Sequence, residues 1–159
     1  MKTLLLAGVA ALSVSVAHAN EAHRTELGLE WGGNLIDHIE RWQALDKSGD
    51  VIEIRGPCVS ACTMVMAFIP RERLCFGVQG ELRFHAARDG QSATESSLYW
   101  TNWMIQRYPQ DIRTWIESRG GAEKMTIKEF WTLDLSALLN MGYLSCENFD
   151  ALNGNRKWR

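Results

Sequence analysis

Apolar and polar positions divide the chain into short strands and helices in alternation. Over residues 25–31 apolar side chains recur at every second place (Leu27, Leu29, Trp31), the period of a half-buried strand, and Gly32-Gly33 breaks it. Asn34 then stands where a helix cap belongs. Leu35, Ile36, Ile39, Trp42 and Leu45 follow at helical spacing, with a stop at Ser48-Gly49. Val51–Ile54 reads as a buried strand ended by Gly56-Pro57. Residues 60–68 form a run that starts with small residues and is apolar nearly all round, which predicts a buried helix closed by Pro70. Leu74–Phe76 and residues 81–86 read as two further strands. The succession strand, helix, strand, helix, strand predicts βαβ crossovers and an α/β layer.

The second half is more helical. Residues 88–97 are polar and predict a loop leading into a helix start. Leu98, Trp103 and Ile105, then Ile112, Trp115 and Ile116, mark amphipathic helices that stop at Gly120-Gly121. Leu135, Leu138, Leu139 and Met141 mark a last helix ended by Gly142, and residues 148–159 read as a polar tail that is basic at its end. The tryptophans of these helices are expected to pack in the core or at an interface rather than to form a ligand cage.

The 159 residues carry 17 Lys+Arg against 19 Asp+Glu, with 46% hydrophobic residues, the composition of one globular domain. Residues 1–19 have the pattern of a secretory signal. Lys2 is their one charge, residues 4–16 are apolar or small, and Ala17-His18-Ala19 offers a small-x-small cleavage site. The apolar run is too short to span a bilayer. Cleavage after Ala19 takes 19 residues from 159 and leaves 140, with 16 basic and 19 acidic side chains, a net charge of −3. The expected product is a periplasmic or secreted protein, a single domain over residues 20–147, with no membrane insertion once the signal is removed. No basic excess exists to hold a nucleic-acid backbone, so no nucleic-acid partner is expected.

All four cysteines, Cys58, Cys62, Cys75 and Cys146, lie in the mature chain. An even number in an oxidising compartment predicts two disulfides, with three connectivities open. Cys58-x-x-x-Cys62 lacks the C-x-x-C spacing of a redox motif, and no HExxH or paired CxxC pattern is present. Neither a metal nor another cofactor is expected.

The stretch Gly56-Pro57-Cys58-Val59-Ser60-Ala61-Cys62-Thr63 places a serine just after a strand and at the first turn of a helix. By itself Ser60 also fits a helix cap. As a nucleophile it needs a base and donors for the developing oxyanion. His85, at the end of a later strand, is the candidate base; the backbone N–H groups of Gly33 and Ala61 are the candidate donors. Strand carboxyl ends are where α/β folds gather such groups. His38 lies within a helix and is expected at the surface.

In order and spacing, Gly32-Gly33-Asn34, then Gly56-Pro57-Cys58-Val59-Ser60-Ala61-Cys62, then Phe84-His85 resembles the proteolytic subunit of the Clp protease within the crotonase-like superfamily. The fuller form GPCVSACT…IPRERLCF…ELRFHAA resembles a group of small secreted bacterial proteins distantly related to that superfamily. The resemblance is strongest over residues 29–87. It implies a reduced Clp protease/crotonase-like fold with a helical C-terminal half, and a serine hydrolase acting on a peptide or acyl substrate through Ser60 and His85. Twelve mature residues lead up to and including Trp31, so the sheet is smaller than in that family or is completed by a second copy. Aligning the Met141-Gly142-Tyr143 end of the last helix puts the family's acidic residue on Phe130, between Glu129 and Asp134. Asp134 is the preferred third catalytic residue and Glu129 the second choice. The competing expectation is a non-catalytic binding or scaffold protein that keeps the fold and recruits a partner strand at an open sheet edge.

Overall fold

The cap and first helix form as the sequence dictates. After strand β1 (Arg24–Leu27), the Asn34 side chain accepts a hydrogen bond from the Ile36 N–H at 2.8 Å and opens helix α1 (Leu35–Ser48). Gly49 ends the helix in the left-handed conformation at φ 79°, its N–H directed to the carbonyls of Asp46 and Leu45. The structure, a computed structural model, describes residues 23–90 and 92–153. The expected signal segment, residues 1–19, lies outside the described residues, as do residues 154–159 of the expected tail.

Strand β2 (Val51–Ile54) follows α1 and is buried at all four positions. It pairs in parallel with β1 on one side and with β4 (Leu74–Phe76) on the other. Between β2 and β4 the chain makes strand β3 (Pro57–Val59), a 3₁₀ turn over Ser60–Met64 and helix α2 (Val65–Phe68). The predicted helix over residues 60–68 therefore starts as a tighter 3₁₀ turn. The sequence reading missed β3, whose three residues give no alternation.

Strand β5 (Glu81–Phe84) pairs in parallel with β3, in the register Pro57↔Glu81, Cys58↔Leu82, Val59↔Arg83. Residues 88–97 depart from the expected loop: β6 (Arg88–Asp89) and β7 (Ser92–Ser96) form an antiparallel hairpin. Helices α3 (Leu98–Ile105) and α4 (Gln110–Glu117) follow, and Gly120 and Gly121 have positive φ where the stop was expected. Strand β8 (Trp131–Leu133) pairs antiparallel with β5 and completes a second sheet, β3-β5-β8. Helix α5 (Leu135–Asn140) ends at Gly142, φ 85°, as predicted, but it is not the last helix. The chain returns as β9 (Leu144–Ser145), completing the parallel sheet β1-β2-β4-β9, and continues as α6 (Cys146–Asn153). Residues 148–153 thus belong to a helix rather than a tail, because Phe149 is buried against Val51 and the cystine Cys75–Cys146. The molecule is a mixed α/β fold with a parallel sheet, and no helix among the described residues is long and apolar enough to cross a membrane.

Glu53 sits mid-strand in β2, 3% exposed, where an unpaired carboxylate is costly. Arg24 from β1 reaches one of its oxygens, and Arg55 donates to the other from Nε at 2.8 Å.

All four cysteines are paired, and the structure fixes the connectivity as Cys58–Cys62 and Cys75–Cys146. A bridge that closes a longer loop removes more entropy from the unfolded chain. In that model the Cys75–Cys146 bridge, separation 71, contributes about 4 kcal/mol and the Cys58–Cys62 bridge, separation 4, only about 2 kcal/mol. The double substitution Cys75→Ala/Cys146→Ala is accordingly expected to lower the unfolding free energy by about 4 kcal/mol in a urea titration. A loss under about 1 kcal/mol contradicts the role given to this bridge.

Candidate active site

The parallel pairing of β3 with β5 brings two distant residues to one sheet end. With Val59 opposite Arg83, Ser60 leaves β3 level with Phe84, and His85 is the next residue along. The segment after β1 joins them. Glu30 bridges to Cys58, its N–H donating to the Pro57 carbonyl at 2.9 Å and its carbonyl accepting from the Val59 N–H at 3.0 Å. That contact lays Trp31-Gly32-Gly33 beside the serine.

Ser60 has φ 57°, and among the described residues it is the one non-glycine with positive φ. A side-chain-bearing residue enters this region at a cost, and residues so held cluster at functional sites. At a strand-to-helix junction the conformation turns the hydroxyl out of the chain path. Ser60 does not cap the turn, for which Val59 stands at the cap position with no side-chain hydrogen bond.

Two contacts hold the elbow. The Thr63 hydroxyl donates to the Ser60 carbonyl at 2.6 Å, which makes the Tyr108 hydroxyl, 2.6 Å from Thr63 Oγ1, the donor of the second bond. Burial pushes the Tyr108 ionisation up, so it stays a donor at ordinary pH. On the other side, a Cβ built on Gly32 falls 2.5 Å from Ser60 Cβ and 2.9 Å from Ser60 Oγ. Glycine is required at position 32 because the backbone lies directly on the serine. The Gly33 position is roomier, its nearest neighbour being His38 Cε1 at 3.7 Å. Among the described residues no hydrogen bond occupies the backbone N–H of Gly32 or Gly33.

Ser60, Ala61, Gly32, Gly33 and His85 line one cleft of about 650 Å³. The predicted nucleophile, base and oxyanion donors are therefore brought to a single cavity. Its walls are largely apolar: Trp31, Ile36, Trp100, Met104 and Phe130. Trp31 is 61% exposed and Phe130 42%; of the tryptophans in the later helices, Trp103 and Trp115 pack against the core as expected, while Trp100 is partly exposed and lines the cleft.

His85 Nδ1 lies 2.7 Å from the Ala86 carbonyl, which can only accept, so Nδ1 carries the hydrogen and Nε2 keeps its lone pair. Burial lowers the imidazole pKa below its ordinary value; the Ala86 carbonyl pulls it up, and the positive charge of Arg88 lowers it further. The ring is thus the neutral tautomer a general base requires. Ser60 and His85 both line the cleft, but among the described residues no hydrogen bond joins Ser60 Oγ to His85, the contact expected of a nucleophile and its base.

The acid is a different matter. Asp134 is the N-cap of α5, its Oδ1 accepting from the Ala137 N–H at 2.8 Å, and it lines a separate shallow cleft of about 450 Å³ with Val78, Gly80, Glu81 and Leu139. It is not brought to His85, because the antiparallel register Leu82↔Leu133 puts it level with Glu81, at the other end of β5. Glu129 is exposed and lines neither cleft. Phe130 stands edge-on to the imidazole instead, ring centroids 5.3 Å apart and planes at 88°. His38, expected at the surface, is mostly covered, with Nδ1 at the Asn34 carbonyl (3.0 Å) and Nε2 3.6 Å from Glu30.

The Gly32-Gly33 pair carried the signal for the backbone beside Ser60, whereas the roles of Thr63, Tyr108 and the aromatic walls have no local signal in the sequence. No family model, curated protein or solved structure matches the chain.

Two expectations follow. In ¹⁵N-resolved spectra the neutral His85 ring carries its hydrogen on Nδ1 and titrates below the ordinary 6.5; an Nε2–H tautomer or a raised pKa contradicts the arrangement. Replacing Asp134 by Ala removes a cap and costs about 1 kcal/mol in equilibrium unfolding, whereas an unchanged midpoint denies the capping role.

Proposed function

We propose that the chain is an exported serine hydrolase that cleaves an ester or peptide bond beside an apolar group, using a Ser60–His85 dyad. The observation that carries this reading is the left-handed Ser60 in one cleft with a neutral His85 whose available nitrogen is Nε2. Ser60 Oγ attacks the carbonyl carbon while His85 Nε2 takes the hydroxyl proton. The oxyanion forms against the backbone N–H groups of Gly33 and Ala61. His85 returns the proton to the leaving alcohol or amine, then takes one from the water that cleaves the acyl-enzyme. The Ala86 carbonyl, in place of a carboxylate, orients the ring and faces the imidazolium. Trp31, Ile36, Trp100 and Phe130 offer the apolar wall that a hydrocarbon chain or an apolar peptide side chain would cover.

The resemblance to the Clp protease proteolytic subunit and the crotonase-like superfamily supports the same assignment of Ser60, His85, Gly33 and Ala61. Two buried cystines and the signal-like pattern of residues 1–19 support export to an oxidising compartment. A second reading, a non-catalytic binding protein, is favoured by one observation: no carboxylate hydrogen-bonds His85 among the described residues. In that reading the cleft holds its ligand without cleaving it.

A fluorophosphonate probe separates the two. The oxidised wild-type protein is expected to be labelled and Ser60→Ala not at all, with His85→Ala slower by about 100-fold or more. Since only the neutral imidazole accepts a proton, the labelling rate falls on acidification, with its midpoint below 6.5. Failure of correctly oxidised protein to react, with retained binding of an apolar ligand, establishes the second reading.

A further inference from the structure

We propose that the Cys58–Cys62 bridge is a positioning element of the Ser60 site, so that the nucleophile is set only once these two thiols are oxidised. The inference rests on the hydrolase reading of Ser60. The bridge spans the serine symmetrically, joining the residue two before it to the residue two after it, with Cα atoms 5.4 Å apart. Inside this small ring lie the left-handed Ser60 and the Ala61 N–H, the nucleophile and one oxyanion donor together. Both sulfurs are fully buried and belong to the main core cluster, so the ring is anchored to the packed interior.

Being short, the ring restricts the unfolded chain about half as much as the Cys75–Cys146 bridge does. What it restricts strongly is the local backbone, at the one described non-glycine position whose φ is unfavourable. The remaining clamps act on the neighbours of that torsion. Thr63 and Tyr108 hold the Ser60 carbonyl, and Gly32 lies against its side chain. Without the covalent ring the serine can relax toward an ordinary helical or extended conformation and carry its hydroxyl away from His85.

Closing the ring removes two electrons and two protons from the thiols of Cys58 and Cys62. A disulfide donor, protein-borne or small, receives them and becomes two thiols. The site is thereby coupled to the compartment: the reduced chain carries every catalytic side chain but lacks the fixed elbow.

The test compares the wild type with Cys58→Ala/Cys62→Ala and with Cys75→Ala/Cys146→Ala, resolving fluorophosphonate labelling into KI and the first-order rate kinact. For Cys58→Ala/Cys62→Ala, kinact is expected to fall about 100-fold while KI changes little, the split that misplacement of a reacting atom produces and general loosening does not. Cys75→Ala/Cys146→Ala, despite its larger loss of stability, keeps the wild-type kinact. Equal kinact in the wild type and Cys58→Ala/Cys62→Ala overturns the inference and leaves the hydrolase reading intact. An unlabelled wild type removes both. Should Cys58→Ala/Cys62→Ala not fold, the wild type is titrated with dithiothreitol and the open bridges are counted by alkylation and mass spectrometry. Labelling that is lost in step with opening of Cys58–Cys62 supports the proposal, and labelling that persists with this bridge open overturns it.

Discussion

Strands β3 and β5 are three and four residues long, yet their parallel pairing decides where the chemistry can lie. The register Val59↔Arg83 makes both chains leave the sheet at the same end, with Ser60 level with Phe84 and His85 one residue further along. The pairing is held from both sides. Glu30 bridges to β3 on its outer edge, and β8 runs antiparallel along β5. Because the buried residues Cys58, Leu82 and Leu133 face the same core, the register is fixed by hydrophobic burial rather than by the few backbone bonds.

Arg88 and Asp89 bring charge to the cleft, while its histidine is held neutral. A half-buried imidazole tied to a backbone carbonyl and bordered by a phenyl edge is kept uncharged, which suits it to accept a proton. The same surroundings do less than a carboxylate would to stabilise the imidazolium formed during attack. In the proposed mechanism this places more of the demand on the oxyanion donors and on the fixed geometry of Ser60. The apolar walls act in the same direction, since excluding water strengthens each remaining hydrogen bond.

Much of the site was legible in sequence because it is built from local signals. Small residues around Ser60, the Gly32-Gly33 break and the strand ending at His85 mark loops at strand ends, and the Asn34 cap fixes where α1 begins. The rest depends on contacts between residues far apart in the chain. Tyr108 reaches Thr63 across 45 positions, a partnership with no local trace. Asp134 is preferred only as a carboxylate near the aligned position 130, and a carboxylate just ahead of Leu135 is equally the mark of a helix cap, the role it has. Strands β3, β8 and β9, two or three residues each, are too short to show a period, and Phe149 buries a segment whose other side chains are mostly polar. The hairpin over residues 88–96 arises from pairing between polar segments that composition marks only as loop.

The central claim is tested most directly by a crystal structure of the protein after reaction with a fluorophosphonate. The account predicts phosphorus on Ser60 Oγ, with one phosphoryl oxygen within about 3 Å of the N–H groups of Gly33 and Ala61 and with His85 Nε2 on the opposite side of the adduct. An adduct on another residue, or a phosphoryl oxygen facing solvent with His85 turned away, contradicts it.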